Sequence, residues 1–476
     1  VTAIAEGWEV VVGLEVHTEL LTRTKLFSAA PNEFGGEPNT NVDPVSLGLP
    51  GSLPVLNKAA VELAIRAGLA LNCSVQRSVF ARKNYFYPDM PKDYQISQYE
   101  LPINIDGYLD LPEGKRIGIE RAHLEEDTGK STHATASGDG GGRIHDAEYS
   151  LVDYNRAGVP LLEIVGRPDL RNADEAKAYV SELRSILVAV GASDGKMEEG
   201  SLRVDCNVSV RREGEPEFGT RCEIKNVNSL RSLGRAIDYE AARQIDLLLA
   251  GERIRQETRH WNEDEGRTIT LRSKEEATDY RYFPEPDLVE LDPDPAWIES
   301  IRAALPALPA ERRRILVDRM GAKSDAAALV VDRDLDTLVL AALDDGGDAA
   351  RLLTHAEHNL ADPRAASLQS AHLALLTNME TSGALTATQA KQVLAEMVDG
   401  GGAPDAIAAA HGFEAMGSGE LEGIVDGLIA EHPDDWAKFC AGENKVMGFF
   451  VGQVMKATGG KADGKAVSTL LNRKKG

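Results

Sequence analysis

Up to residue 292 the chain alternates between apolar and polar positions in short runs. Residues 8–19 set Val10, Val12, Leu14 and Val16 against Val11, Gly13, Glu15, His17 and Glu19. Successive side chains of a strand point to opposite faces, so Glu15 and His17 project together beside the space left by Gly13. The same period of two predicts strands over 118–126, 147–155, 201–212, 220–227 and 266–271. Three stretches switch to a helical period: 57–71, 172–190 and 229–249. In the last, Leu230, Leu233, Ile237, Ala241, Ile245 and Leu248 form one stripe. Asn172 followed by Glu175 reads as a helix-capping pair.

The pattern changes at 292–295 (DPDP). Beyond it Ala- and Leu-rich helical sequence takes over, broken by a second linker at 400–404 (GGGAP). The expected architecture is α+β, with a mainly antiparallel sheet over 1–292, an all-helical domain over 293–403 and a helical tail over 404–476. Residues 136–143 (ASGDGGGR) read as a flexible loop between strands.

Strand alternation also sorts the chemistry. In 203–211 the apolar face is Val204, Cys206, Val208 and Val210, and the polar face is Arg203, Asp205, Asn207, Ser209 and Arg211. The following strand adds Glu223 and Lys225, opposite Cys222 and Ile224. Acids that hold a metal, next to arginine that grips phosphate, suit a metal–phosphate complex. Glu15 with His17 can hold a divalent cation, or be an ordinary solvent-facing strand surface. Glu125, Glu126 and Asp127 are adjacent carboxylates that need a cation or basic neighbours, unless they form a solvated turn. His123 reads as a structural hydrogen-bonding residue. Lys83 precedes an aromatic run (82–87, RKNYFY), which fits either phosphate binding beside a stacking surface or a core strand with a basic edge. Residues 152–165 (VDYNRAGVPLLEIV) describe strand, shaped polar turn and strand, with Gly158 and Pro160 fixing the backbone; a plain hairpin reads the same way.

Composition narrows these readings. The net charge is −24 over 476 residues, so long-range attraction to nucleic acid is excluded and any RNA contact must be local. The basic cluster of Lys456, Lys461, Lys465, Arg473, Lys474 and Lys475 is the best local candidate for phosphate, or is a solvated tail. The four cysteines are scattered, without a C-x-x-C pair, which disfavours disulfides and structural zinc. Cys206 and Cys222 read as core. Gly129-Lys130-Ser131 imitates a P-loop ending, but Leu124 stands where its first glycine belongs. Any ATP site must therefore be built from sheet residues. No apolar run is long enough for a membrane span, and no basic-then-apolar leader follows Val1, so a cytoplasmic protein is expected.

Six further motifs accompany 152–165 in order: 13–17 (GLEVH), 82–89 (RKNYFYPD), 94–99 (YQISQY), 123–131 (HLEEDTGKS), 197–203 (MEEGSLR) and 279–287 (DYRYFPEPD). Together they closely resemble the B subunits of tRNA-dependent glutamyl/aspartyl-tRNA amidotransferases. The C-terminal part resembles that family more weakly, through 448–456 (GFFVGQVMK). The resemblance implies an N-terminal cradle like those of glutamine synthetase and guanido kinases. It implies ATP-dependent phosphorylation of the side-chain carboxylate of a glutamate or aspartate mischarged onto tRNA. Ammonia would come from a separate amidase chain, a small third chain would complete a heterotrimer, and a mobile tail would help hold the tRNA. By motif match, Glu15, His17, Glu125 and Glu126 are expected to bind Mg²⁺, with Asp205, Asn207 and Glu223 as second choices. Lys83, Arg203 and Lys225 are the expected phosphate or transition-state cations. Zinc is not expected, because Asp43 and Ser46 replace a Cys-x-x-Cys of some relatives. The competing readings are a non-catalytic tRNA-binding scaffold and a free-standing carboxylate–amine ligase.

Overall fold

In the computed structural model, the described residues are 5–134, 148–273, 280–413, 418–443, 445–458, 462 and 464–475, with the side chains of 271–273, 418–420 and 465 excluded. The glycine-rich stretch 136–143, Asp279 and Lys461 fall outside them. The chain divides into a unit over 1–309 and a unit over 310–476.

The first unit is built on one sheet. Its strands are β1 (Trp8–Glu19), β2 (Ser74–Val75), β3 (Ala81–Asn84), β4 (Tyr94–Ser97), β5 (Asn104–Asp110) and β6 (Arg116–Glu126). They are followed by β9 (Pro160–Gly166), β10 (Leu202–Arg212), β11 (Cys222–Val227), β12 (Glu257–Asn262), β13 (Arg267–Ser273) and β14 (Phe283–Pro284). Strands β7 (Lys130–Ala134) and β8 (Tyr149–Asp153) pair only with each other. The main order is β13-β12-β11-β10-β1-β9-β6-β4-β3-β14, with β5 beside β6 and β2 beside β5. All pairings are antiparallel except β11 with β12. The fold is thus mixed α+β with a mainly antiparallel sheet, as the alternation implies.

The hairpin reading of 152–165 is overturned. β8 leaves for the small sheet, while β9 inserts between β1 and β6. The turn between them is held from outside. Lys25, fully buried, donates from Nζ to the carbonyls of Ala157 (2.6 Å) and Tyr154 (3.3 Å). Arg156 donates to the carbonyls of Thr128 and Gly129 (2.9 and 3.0 Å). Gly158 adopts φ +84°, a conformation that glycine reaches without strain.

One face of the sheet is apolar and covered. Val10, Val12, Leu14 and Val16 of β1, Leu162 and Ile164 of β9, and Val204, Cys206 and Val208 of β10 lie in the main core. Helices α1 (Lys58–Ala70), α2 (Ala173–Ala189) and α3 (Leu230–Leu249) supply its other side. Each has the polar N-cap its sequence offers: Asn57, Asn172 and Ser229. Asn172 accepts from the amide of Glu175, but the Glu175 carboxylate takes the Arg171 amide, so the capping pair is not reciprocal. Both Cys206 and Cys222 are buried, as expected of core residues. Helix α4 (Pro295–Ala303) packs on the same core through Ile301 and Trp297, which carries the first unit past residue 292.

In the second unit, α5 (Pro309–Met320), α6 (Ser324–Asp332), α7 (Asp336–Asp344), α8 (Ala349–His358), α9 (Ser370–Thr381), α10 (Ala387–Gly400) and α11 (Pro404–Ala410) enclose one core. Another core lies among α12 (Ser418–Glu431), α13 (Pro433–Cys440), α14 (Lys445–Ala457) and α15 (Gly464–Lys475). Among the described residues no helix is long and apolar enough to cross a membrane.

The tightest helix-to-sheet junction is testable. Asn104 is fully buried and ties α1 to β6 through the carbonyls of Ala64 and Ala122, both at 3.0 Å. A Cβ on Gly68 would lie 2.0 Å from its Oδ1. Overpacking of this kind costs about 1–3 kcal/mol. Gly68→Ala is expected to lower the stability of the first unit by that amount, measured as a fall in urea midpoint by tryptophan fluorescence.

Candidate active site

The opposite face of the sheet is polar. Strand register decides which of its residues meet. His17 of β1 pairs with Glu163 of β9 on one side and Arg203 of β10 on the other. Glu163 pairs in turn with His123 of β6. Glu15 lies opposite Asp205, Asn207 opposite Glu223, Glu125 opposite Ser97 of β4, and Lys83 of β3 opposite Gln95. A row of ionisable side chains therefore crosses the sheet from β11 to β3.

At its centre, donor atoms of His17, Glu125 and Glu163 lie within 4.8 Å of one another. His17 Nε2 is 3.7 Å and His123 Nε2 is 3.4 Å from Glu163 Oε2. Ser97 donates to Glu125 at 3.2 Å. Burial raises the Glu163 carboxyl, but His123, His17 and Lys83 overcome it and hold it well below the ordinary range. Glu15 is displaced the other way: burial first, then the charges of Glu163, Asp205 and Glu223 push it up. Asn207 Nδ2 donates to Glu15 at 3.0 Å, and its buried Oδ1 has no partner among the described residues. One imidazole and two carboxylates at this separation fit a divalent cation, which for Mg²⁺ leaves positions for phosphate oxygens.

The cations ring the same pocket, a cavity of about 420 Å³ lined by His17, Lys83, Tyr85, Glu125, Asp127, Arg203, Asp205, Lys225 and Tyr280 among others. Arg203 Nη2 donates to Asp127 at 2.5 Å, while its buried Nε has no partner among the described residues. Lys225 binds Asp205 at 2.8 Å and lies 3.6 Å from Glu223. Burial pulls its ammonium down, but those two carboxylates hold it above the usual range. Lys83 sits 4.8 Å over the ring of Tyr280. At Lys225 the β10–β11 ladder slips, with two residues of β11, Lys225 and Asn226, opposing Asp205 of β10. Asn226, within the slip, has φ +64°. Such bulges bend a strand and re-aim its side chains.

Not every expected ligand joins the cluster. Glu126 falls on the other side of β6, where Lys92 meets both carboxylate oxygens at 2.6 Å and the Ile96 amide donates to it at 3.1 Å. Asp205 and Glu223 stand with Lys225, to one side of the imidazole. Glu163 takes the place sequence reasoning left open. Its signal was a lone acid between Leu162 and Ile164 in an otherwise apolar strand. In the second unit, the terminal basic residues face acids. Arg473 lies 3.0 Å from Glu422, and Lys474 2.7 Å from Asp426. Lys475 sits over Phe439.

Comparison with known proteins identifies the family. Residues 10–299 match the family profile described as "GatB/GatE catalytic domain", and 347–474 match one described as "GatB domain". The chain belongs to this family. It is 48% identical to the B subunit of the aspartyl/glutamyl-tRNA(Asn/Gln) amidotransferase from Anaeromyxobacter sp. (strain Fw109-5), over 98% of this chain and 99% of that protein. It is 49% identical to the B subunit from Salinispora arenicola, over 98% and 96%, and 46% identical to that from Thermosynechococcus vestitus, over 100% and 98%. The GatB/GatE profile spans the strands of the polar face, and Glu163 lies within it.

A carboxyl at the end of β1 gives a measurable pH signature. Glu19 is raised to about 7 from 4.5, first by burial and then by the charge of Asp127, with Arg203 and Arg156 partly opposing. An acid whose folded value exceeds its unfolded value binds more protons when folded, so stability falls as pH rises between them. Glu19→Gln is expected to flatten the decline in urea midpoint between pH 4.5 and about 7 and to leave the profile above pH 8 unchanged in slope.

Proposed function

We propose that this chain activates the side-chain carboxylate of glutamate or aspartate mischarged onto tRNA by ATP-dependent phosphorylation, and presents it to ammonia. The observation that carries this reading is that His17 and Glu125, which form one cluster with Glu163, line the same pocket as Lys83, Arg203 and Lys225. Phosphoryl transfer needs positioning and charge neutralisation more than covalent help. A carboxylate oxygen attacks the γ-phosphorus and ADP leaves; ammonia then attacks the acyl carbon, phosphate leaves and a proton is lost, giving the amide.

The residues divide this work by charge. His17, Glu125 and Glu163, with Glu15 alongside, would hold Mg²⁺, whose chemistry when bound is to neutralise phosphate oxygens. Arg203 is fixed by Asp127, and its Nε, without a partner among the described residues, would meet an oxyanion. Lys225, kept charged by Asp205 and Glu223, serves the far wall, and Lys83 the near one. A pocket walled by the sheet shields the acyl phosphate from water. The same proposal includes a cradle of the glutamine-synthetase and guanido-kinase kind in the first unit and, in the second, a helical domain followed by a tRNA-holding tail. Its partners in this reading are an amidase chain and a small third chain, and its place of action is the cytoplasm. A non-catalytic scaffold for tRNA would gain nothing from a converged set of acids, which repel RNA.

The test is reconstitution with the amidase and small chains, reading ATP hydrolysis with and without Glu-tRNA(Gln) or Asp-tRNA(Asn). The unmodified complex is expected to respond to at least one of them. Glu125→Ala and Glu163→Gln are each expected to lower ATP turnover about a hundredfold or more, while glutamine hydrolysis by the amidase persists. Unchanged ATP turnover in both variants would favour the scaffold.

A further inference from the structure

Two of the chain's 11 tyrosines, Tyr85 and Tyr280, line the pocket, and ring contacts join three more to them, in a protein with only 5% aromatic residues. Alternation continues past the end of β3, because the Tyr85 amide donates to the Asp93 carbonyl at 2.9 Å. Lys83, Tyr85 and Tyr87 therefore share a side. The Tyr85 and Tyr87 rings stack, with centroids 4.7 Å apart and planes 26° apart. Tyr280 lines the same pocket beneath the Lys83 ammonium and meets Tyr282 edge-on at 6.0 Å. Tyr282 lies flat on Tyr99, with centroids 4.1 Å apart.

This wall is not ordinary core. Tyr87 and Tyr99 are 41% and 42% exposed, and Tyr85 and Tyr280 border open space. Its second strip is held in a shape that costs energy. Arg281 has φ +46°, disfavoured for a long side chain, while Asn84 Nδ2 donates to the carbonyls of Tyr280 and Arg281 at 2.8 and 3.0 Å. Flat aromatic faces beside a cation match a flat heteroaromatic ring that carries phosphate. Stacking also supplies affinity without positive charge, which a chain of net charge −24 needs if RNA is to enter.

We infer that the tyrosine wall is a shelf on which an adenine ring stacks, with Lys83 taking an attached phosphate. The inference rests on the proposed function, whose two large substrates both present adenine: ATP in its base, and tRNA in its 3′-terminal adenosine. The ring chemistry is shared, and the sources separate by experiment.

The full chain, with Tyr85→Leu, Tyr85→Phe and Tyr87→Ala variants, would be titrated with ATP, with intact tRNA and with tRNA lacking its terminal adenosine. Circular dichroism would confirm folding. Loss of one stacked ring weakens binding about tenfold. Tyr85→Leu and Tyr87→Ala are expected to show this loss and Tyr85→Phe to restore it. A loss confined to ATP assigns the shelf to the nucleotide. A loss seen with intact tRNA and absent with the shortened one assigns it to the RNA end. Unchanged affinities for both, an equal loss for both tRNAs without a loss for ATP, or failure of Phe to rescue would overturn the shelf. The proposed function fails by a different readout, namely ATP hydrolysis in the unmodified complex that ignores mischarged tRNA.

Discussion

Buried like charges that cannot be moved apart govern this molecule. Glu15, Glu125 and Glu163 come from three strands of one sheet, and register fixes their separation. Burial penalises every ionised carboxylate, and proximity adds to the penalty. The two outcomes diverge along the row. Glu163, between two imidazoles, is driven below its ordinary range, while Glu15, facing three other acids, is driven above it. Such a split is costly in a purely structural sheet, where hydrophobic residues would fold as well or better. It is useful where a cation, or the phosphates it accompanies, supplies the missing charge.

The sheet can sustain that arrangement because its two faces do different work. Helices α1 to α3 cover the apolar side, and side-chain interactions such as Asn104 to α1 and β6 fix the helices on the sheet. The polar side is then free of packing duties. The turn at 154–158 matters for the same reason. By diverting β8 and sending β9 between β1 and β6, it delivers Glu163 to the imidazoles. Its anchor, Lys25, is buried against backbone carbonyls, and burial pulls its ammonium down to about 8 even though Asp43 and Glu126 oppose the shift.

What the sequence disclosed follows the range of each physical rule. Alternation is local, so it correctly paired Glu15 with His17, and Arg203 with Asp205, on shared faces. Helix periodicity and N-caps placed α1 to α3 within a residue or two. Neighbourhood between strands is not local. Nothing in residues 152–165 states that β9 lies next to both β1 and β6, so a hairpin fitted equally well and Glu163 had no assigned role. Glu126 shows the same limit from the other side. Three consecutive acids suggest one cluster, yet a strand must send the middle one to the opposite face, where Lys92 meets it. Short strands such as β3 and β4 are recognisable only once their partners are known, and the family motifs, not periodicity, marked them.

The charge balance connects these scales. In the proposed function a protein of net charge −24 meets polyphosphate and RNA, and must confine positive charge to places where it is needed and neutralise it elsewhere. The terminal helix illustrates neutralisation: Arg473 and Lys474 face Glu422 and Asp426 of α12, so a run that looks basic in sequence has much of its charge compensated in space. Around the pocket the opposite holds. Arg203 and Lys225 keep acid partners that fix their position and charge, but each remains on the pocket wall. In the proposed reaction, positive charge fixed in this way would cost little reorganisation on phosphate binding, which is the condition for electrostatic stabilisation of a transferring group. Long-range repulsion then acts as a filter. It disfavours non-specific nucleic acid, and admits a ligand only where short-range contacts, ionic and aromatic, outweigh it.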